Sequence, residues 1–154
     1  MIKLNLKVVL VLFILMSCNE HNRIENQTAM QLEGTWQLIS GTVIEKGDTT
    51  FTDYTKNKNM IKIINKTHFA FLNHDLKKGK DSVNVVFVAG GGKYELKDGQ
   101  YIEHLEYCSS REWEGNTFAF TIKIQNDTLT QSGIEKIEGI GVNRLNIEKY
   151  VKII

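Results

Sequence analysis

"KYELKDGQYIEHLEY", residues 93–107, alternates in side-chain character on both sides of Asp98-Gly99. A two-residue Asp-Gly connection between alternating runs is a strong short-range sign of a β-hairpin, because both of its residues must take positive φ. The same grammar recurs outward in both directions. "TFAFTIKIQ" (117–125) and "TLTQSG" (128–133) flank Asn126-Asp127. "MIKIIN" (60–65) and "HFAFLN" (68–73) form another pair around a short polar break, and "VNVVFVA" (83–89) leads into Gly90-Gly91-Gly92. "TWQLISGTVI" (35–44) opens the series, "NRLNIEKYVKI" (143–153) closes it, and "FTDYT" (51–55) is a weaker strand. No segment sustains a 3.6-residue apolar period over three turns. Short strands at regular spacing joined by tight turns predict an all-β domain over 32–154. Sequential hairpins favour an up-and-down antiparallel β-barrel of eight to ten strands, since closure removes exposed edges.

Ahead of this domain, "VVLVLFILM" (8–16) follows Lys3 and Lys7. The run is far short of the about 20 apolar residues that a spanning helix needs. A basic start, a short apolar stretch and a small residue near its end read as a signal peptide over 1–17. Leu15-Met16-Ser17-Cys18 resembles the lipobox of bacterial lipoproteins. The resemblance implies that Cys18 is lipidated, palmitate included, and becomes the first mature residue. It implies a lipid anchor in the bacterial cell envelope, at the outer membrane. Removing 1–17 from the 154 residues leaves 137 with a formal net charge of −1, since Lys3 and Lys7 go and no acid does. Residues 18–31 are mostly polar and read as a tether. The chain has two cysteines, so with Cys18 lipidated Cys108 has no partner for an internal disulfide. No basic block of the nucleic-acid-binding kind occurs, and no feature assigns an oligomeric state.

Gly34-Thr35-Trp36, at the start of the first strand, is similar to the Gly-x-Trp motif that opens lipocalins and related calycins. "HFAFLNHDL", "FVAGGGKY" and "EHLEYCSSREWEG" resemble the lipocalin-like domains of Bacteroidetes lipoproteins of unknown function. The resemblance implies that Trp36 closes one end of the barrel and that an arginine of the last strand, Arg144, stacks over it.

The candidate ligand-binding residues follow from strand parity. Phe118 and Phe120 share a face, as do Phe69 and Phe71, and Phe87 and Tyr94 lie on the more apolar parity of their runs. All six are expected to face the interior. Trp113, in "SSREWEGN" (109–116), is either a rim for a ligand or a plug. His104, Glu106 and Cys108 fall on one face by alternation and read as a solvated face, because three ligands in a line cannot readily surround a metal ion. His68 and His74 share the parity opposite to Phe69 and Phe71 and should point outward. The three glycines are not a phosphate loop, as no helix and no Lys-Ser/Thr pair follows; they mark a bulge or bend. No catalytic motif is present, and no cofactor or metal is implied. The expected function is non-enzymatic binding of a small apolar or amphipathic ligand. The alternative is a packed-barrel structural or interaction protein of the bacterial envelope acting through its loops.

Overall fold

A computed structural model describes residues 20, 23–80 and 85–153. Cys18 and the signal stretch 1–17 lie outside the described residues, as does Val83. Nine strands follow one another: β1 (Gly34–Glu45), β2 (Asp48–Asp53), β3 (Lys58–Ile64), β4 (His68–Asp75), β5 (Phe87–Lys97), β6 (Gln100–Cys108), β7 (Thr117–Gln125), β8 (Thr128–Ile137) and β9 (Val142–Ile153). All pairings are antiparallel. β1 and β3 through β9 form an eight-stranded up-and-down barrel that closes by pairing β9 with β1. The ninth strand, β2, folds back on β1: the first half of β1 pairs with β3 (Gly34↔Ile64) and the second half with β2 (Ser40↔Asp53). The all-β barrel expected from the hairpin pattern is the observed architecture.

The pattern named the turns at Asp98-Gly99 and Asn126-Asp127, but not the two-residue turn between β1 and β2, which falls on Lys46-Gly47 with φ of 52° and 89°. Asp98 and Gly99 have φ of 53° and 76°, both left-handed, as the two-residue hairpin between β5 and β6 requires. The three glycines mark a bulge, as expected, with the register shift between Gly91 and Gly92. They do not interrupt a strand, because β5 runs straight through them from Phe87 to Lys97. Their role is close approach: a Cβ on Gly92 would sit 1.9 Å from the His104 carbonyl oxygen, and one on Gly91 would sit 2.4 Å from that of Phe69. The bulge lies across from them in β6, where Gly92 pairs with Leu105 and Gly91 with Tyr107, leaving Glu106 as the extra residue.

That one residue inverts the alternation of β6. Tyr101, Glu103 and Leu105 are buried, Glu106 and Tyr107 are exposed, and Cys108 is buried again. The shared face expected for His104, Glu106 and Cys108 is thereby broken: His104 bonds Glu95 and Thr117 on the outside, while Cys108 points inward. Among the described residues no group of three or more His, Cys, Asp and Glu is placed to hold a metal ion.

Residues 23–32 form a helix, where a polar tether was expected over 18–31. Its protected positions are Glu25, Thr28, Ala29 and Leu32, an i, i+3, i+4, i+7 stripe. Only Leu32 among them is a large apolar residue, and it is wholly buried. The helix ends against the barrel: the Trp36 indole N–H donates to the Leu32 carbonyl at 2.8 Å, and the Lys152 ammonium donates to the Gln31 carbonyl at 3.1 Å. Among the described residues no helix is long and apolar enough to cross a membrane.

Trp36 has no exposed surface and closes this end of the barrel. The cation over its ring is Lys152, with its ammonium 5.0 Å from the centroid. Arg144, expected there, is eight residues earlier on the same strand. It lies 5.0 Å over Trp113 instead. The register explains the exchange, since Trp36 pairs with Lys152 across β1 and β9, whereas Arg144 pairs with Glu135 on β8.

Candidate functional site

β9 supplies the spine of the interior. Alternation sends Arg144, Asn146, Glu148, Tyr150 and Lys152 to the inner face, in order from the Trp113 end to the Trp36 end. The first four of these line a cavity of about 320 Å³. The outward residues of the same strand, Leu145, Ile147 and Val151, are only partly covered. From Arg144 on, this strand therefore turns mostly polar side chains inward, while its outward parity mixes Leu145, Ile147 and Val151 with Asn143 and Lys149.

Other strands add polar side chains to the interior. β8 adds Gln131 and Glu135, β6 adds Glu103, and β3 adds Lys62. At the floor, the Lys62 ammonium bonds the Glu103 carboxylate and donates to the Gln131 side-chain oxygen at 2.9 Å. Exposure of these residues is 2 % for Lys62, 7 % for Glu103 and 2 % for Gln131, so the cluster is withdrawn from bulk water. Charges are buried at such depth only when paired and hydrogen-bonded. Phe69, Tyr101 and Tyr150 surround the ammonium, with ring centroids 5.5–5.6 Å away. Burial, and then the Glu103 charge, push the Tyr101 phenol well above its ordinary range. Burial and the Glu148 charge do the same to Tyr150, whose hydroxyl donates to Glu148 at 2.7 Å.

Nearer the Trp113 end, Arg144 donates from Nε to Glu135 at 2.7 Å, and the Asn146 amide donates to the other oxygen of Glu135 at 2.9 Å. Burial raises the Glu135 carboxyl above its ordinary value, opposed by Arg144. Tyr54, just beyond β2, also lines the cavity, and burial raises its phenol.

The apolar wall comes from Phe71, Phe118, Phe120, Met60, Leu105 and Val88. Trp113 completes it. The short helical turn Arg111–Trp113 is tied down by Glu114, which accepts the Cys108 amide at 2.8 Å and pairs with Arg111 at 3.0 Å. The Asn116 side chain adds a bond to the Trp113 carbonyl at 2.9 Å. Trp113 consequently folds inward, 5.9 Å from Phe118 and under Arg144. Trp113 is thus part of the cavity wall.

The seven aromatic residues expected at the site divide into three groups. Phe71, Trp113, Phe118 and Phe120 line the cavity. Phe69 and Tyr94 face the interior but pack below it; Phe69 is 3 % exposed, and Tyr94 packs at a tilt against Tyr101, 5.2 Å between ring centroids, and donates to the Asn65 carbonyl. Phe87 is on the outside, 70 % exposed. The inward Phe71 and Asn73 of β4 pair with Gly90 and Val88, which leaves Phe87 on the outer face beside His74. His68 and His74 point outward, as their parity requires.

Sequence reasoning missed the polar half of the site: Lys62, Glu103, Gln131, Glu135, Asn146 and Glu148. No family model matches the chain, and neither do the curated proteins or the solved structures to which it was compared.

Proposed function

We propose that this chain is a lipid-anchored binding module of the bacterial cell envelope whose barrel holds a small amphipathic molecule without transforming it. The observation that carries this reading is the 320 Å³ interior cavity, walled on one side by aromatic rings and on the other by charged and amide side chains. That volume sits at the small end of ordinary ligand sites, which run from about 300 to 1,000 Å³. It suits a compact molecule, and the mixed lining suits one with both an apolar body and a hydrogen-bonding head. A wholly apolar ligand would leave the buried Asn73 side-chain oxygen on the cavity wall without a donor, and an unsatisfied buried polar group costs about 1–3 kcal/mol. Attachment to the membrane through Cys18, and kinship with lipocalin-like Bacteroidetes lipoproteins, rest on the sequence motifs. Neither changes what the cavity accepts.

Tryptophan fluorescence tests the reading. Trp113 lines the cavity, whereas Trp36 is sealed at the opposite end. Titration of residues 19–154 with short-chain amphiphiles should change the emission saturably, and Trp113→Phe should abolish the change. An emission that no amphiphile alters, or one that still responds fully without Trp113, contradicts an interior site.

A further inference from the structure

We infer that the cavity selects an organic cation, a compact amphipathic amine, and that Glu148 receives its ammonium group; the inference rests on the binding reading above. Five formally charged side chains line the cavity: Lys62 and Arg144 against Glu103, Glu135 and Glu148. Two of the carboxylates have cations of their own, Glu103 in Lys62 and Glu135 in Arg144. Glu148 has none. Among the described residues its one hydrogen-bond donor is the Tyr150 hydroxyl, and no lysine, arginine or histidine forms an ion pair with it. A carboxylate in a partly desolvated interior without a counter-charge attracts a cation from solution more strongly than one at the surface does.

A second observation points to the same chemistry. The side-chain oxygen of Asn73, on the cavity wall, is buried and accepts no hydrogen bond. An acceptor in that position calls for a donor, and an ammonium carries three N–H groups and no acceptor. The aromatic wall fits as well. Trp113, Phe118 and Phe120 present apolar surface to the body of such a ligand, and ring faces attract cations. An anion would meet the opposite conditions. It would add to an uncompensated negative charge, and the two resident cations already face their own carboxylates.

Head-group comparison at constant chain length decides the matter. Residues 19–154 carry every described element of the fold. They are titrated near pH 7 with n-octylamine, n-octanol and n-octanoate, with binding followed calorimetrically. An alkylamine is charged there, as lysine is. A charge-assisted hydrogen bond to Glu148 should make octylamine bind about ten-fold or more tighter than octanol, with octanoate weakest. Glu148→Gln should erase the preference for the amine over octanol, and an unchanged urea-unfolding midpoint shows that the barrel around the cavity is intact. Equal or tighter binding of octanol or octanoate by the parent chain overturns the inference and leaves the binding reading standing. An amine preference that survives in Glu148→Gln overturns the assignment to Glu148. Failure of all three to bind overturns the binding reading itself, and this inference with it.

Discussion

Lys62→Met lowers the unfolding free energy by about 3–5 kcal/mol, because removing one partner of a buried ion pair leaves the other charge without compensation. The stranded group is Glu103, 7 % exposed, and Gln131 loses its donor at the same time. The cluster itself need not stabilise the barrel. Desolvating two charges consumes most of what their attraction returns, and well-packed apolar replacements are often neutral or better. The triple variant Lys62→Met, Glu103→Leu, Gln131→Met should therefore come back to within about 1 kcal/mol of the parent. Urea denaturation followed by far-ultraviolet circular dichroism measures both. A single-variant cost below about 1 kcal/mol would mean that water reaches the floor. If the triple variant matches the parent in stability, the buried charges are kept for what they do to the cavity. Their polarity gives the lower wall hydrogen-bonding groups that an apolar floor would lack.

Trp36→Ala should cost a similar amount, about 3–5 kcal/mol, as large-to-small changes at fully buried aromatic positions do. Three losses combine: the ring's own burial, its hydrogen bond to the Leu32 carbonyl, and the docking point of the helix over 23–32. The cation partner is decided by double-mutant cycles. Trp36 and Lys152 should couple by at least about 0.5 kcal/mol, in keeping with an ammonium 5.0 Å from the ring. Trp36 on β1 and Arg144 on β9, at opposite ends of the barrel, should be additive within about 0.3–0.5 kcal/mol. The reverse pattern would place Arg144 over Trp36, as the lipocalin resemblance implied.

How much of this was legible follows from what each rule assumes. Hairpins could be read because Asp98-Gly99 and Asn126-Asp127 are local signals that need no partner elsewhere in the chain. Parity worked wherever the inward residues are apolar on a regular strand, as at Phe69, Phe71, Phe118 and Phe120. It failed at Phe87, where the register with β4 decides the face, and at Cys108, where the extra residue Glu106 shifts the alternation. The larger miss is the polar wall. The expectation that the apolar parity faces in presumes a dry core, and this barrel encloses a polar space. On β9 the signal was present but ambiguous. Arg144, Asn146, Glu148, Tyr150 and Lys152 share one parity, and Asn143, Leu145, Ile147, Lys149, Val151 and Ile153 share the other. Burial inverts the usual assignment there, and only the closure of β9 onto β1 shows which face is inside. The helix escaped notice for a related reason, as its protected stripe contains Glu25 and Thr28 and only one large apolar side chain.

A crystal structure of residues 19–154 grown with n-octylamine, and a second with n-octanol, tests the central claim most directly. The account predicts both molecules inside the barrel, their chains against Phe71, Phe118 and Phe120 beneath Trp113, with the amine nitrogen within hydrogen-bond distance of Glu148. Rings collapsed onto one another around a filled interior, with both probes confined to the outer face beside Phe87, would contradict it.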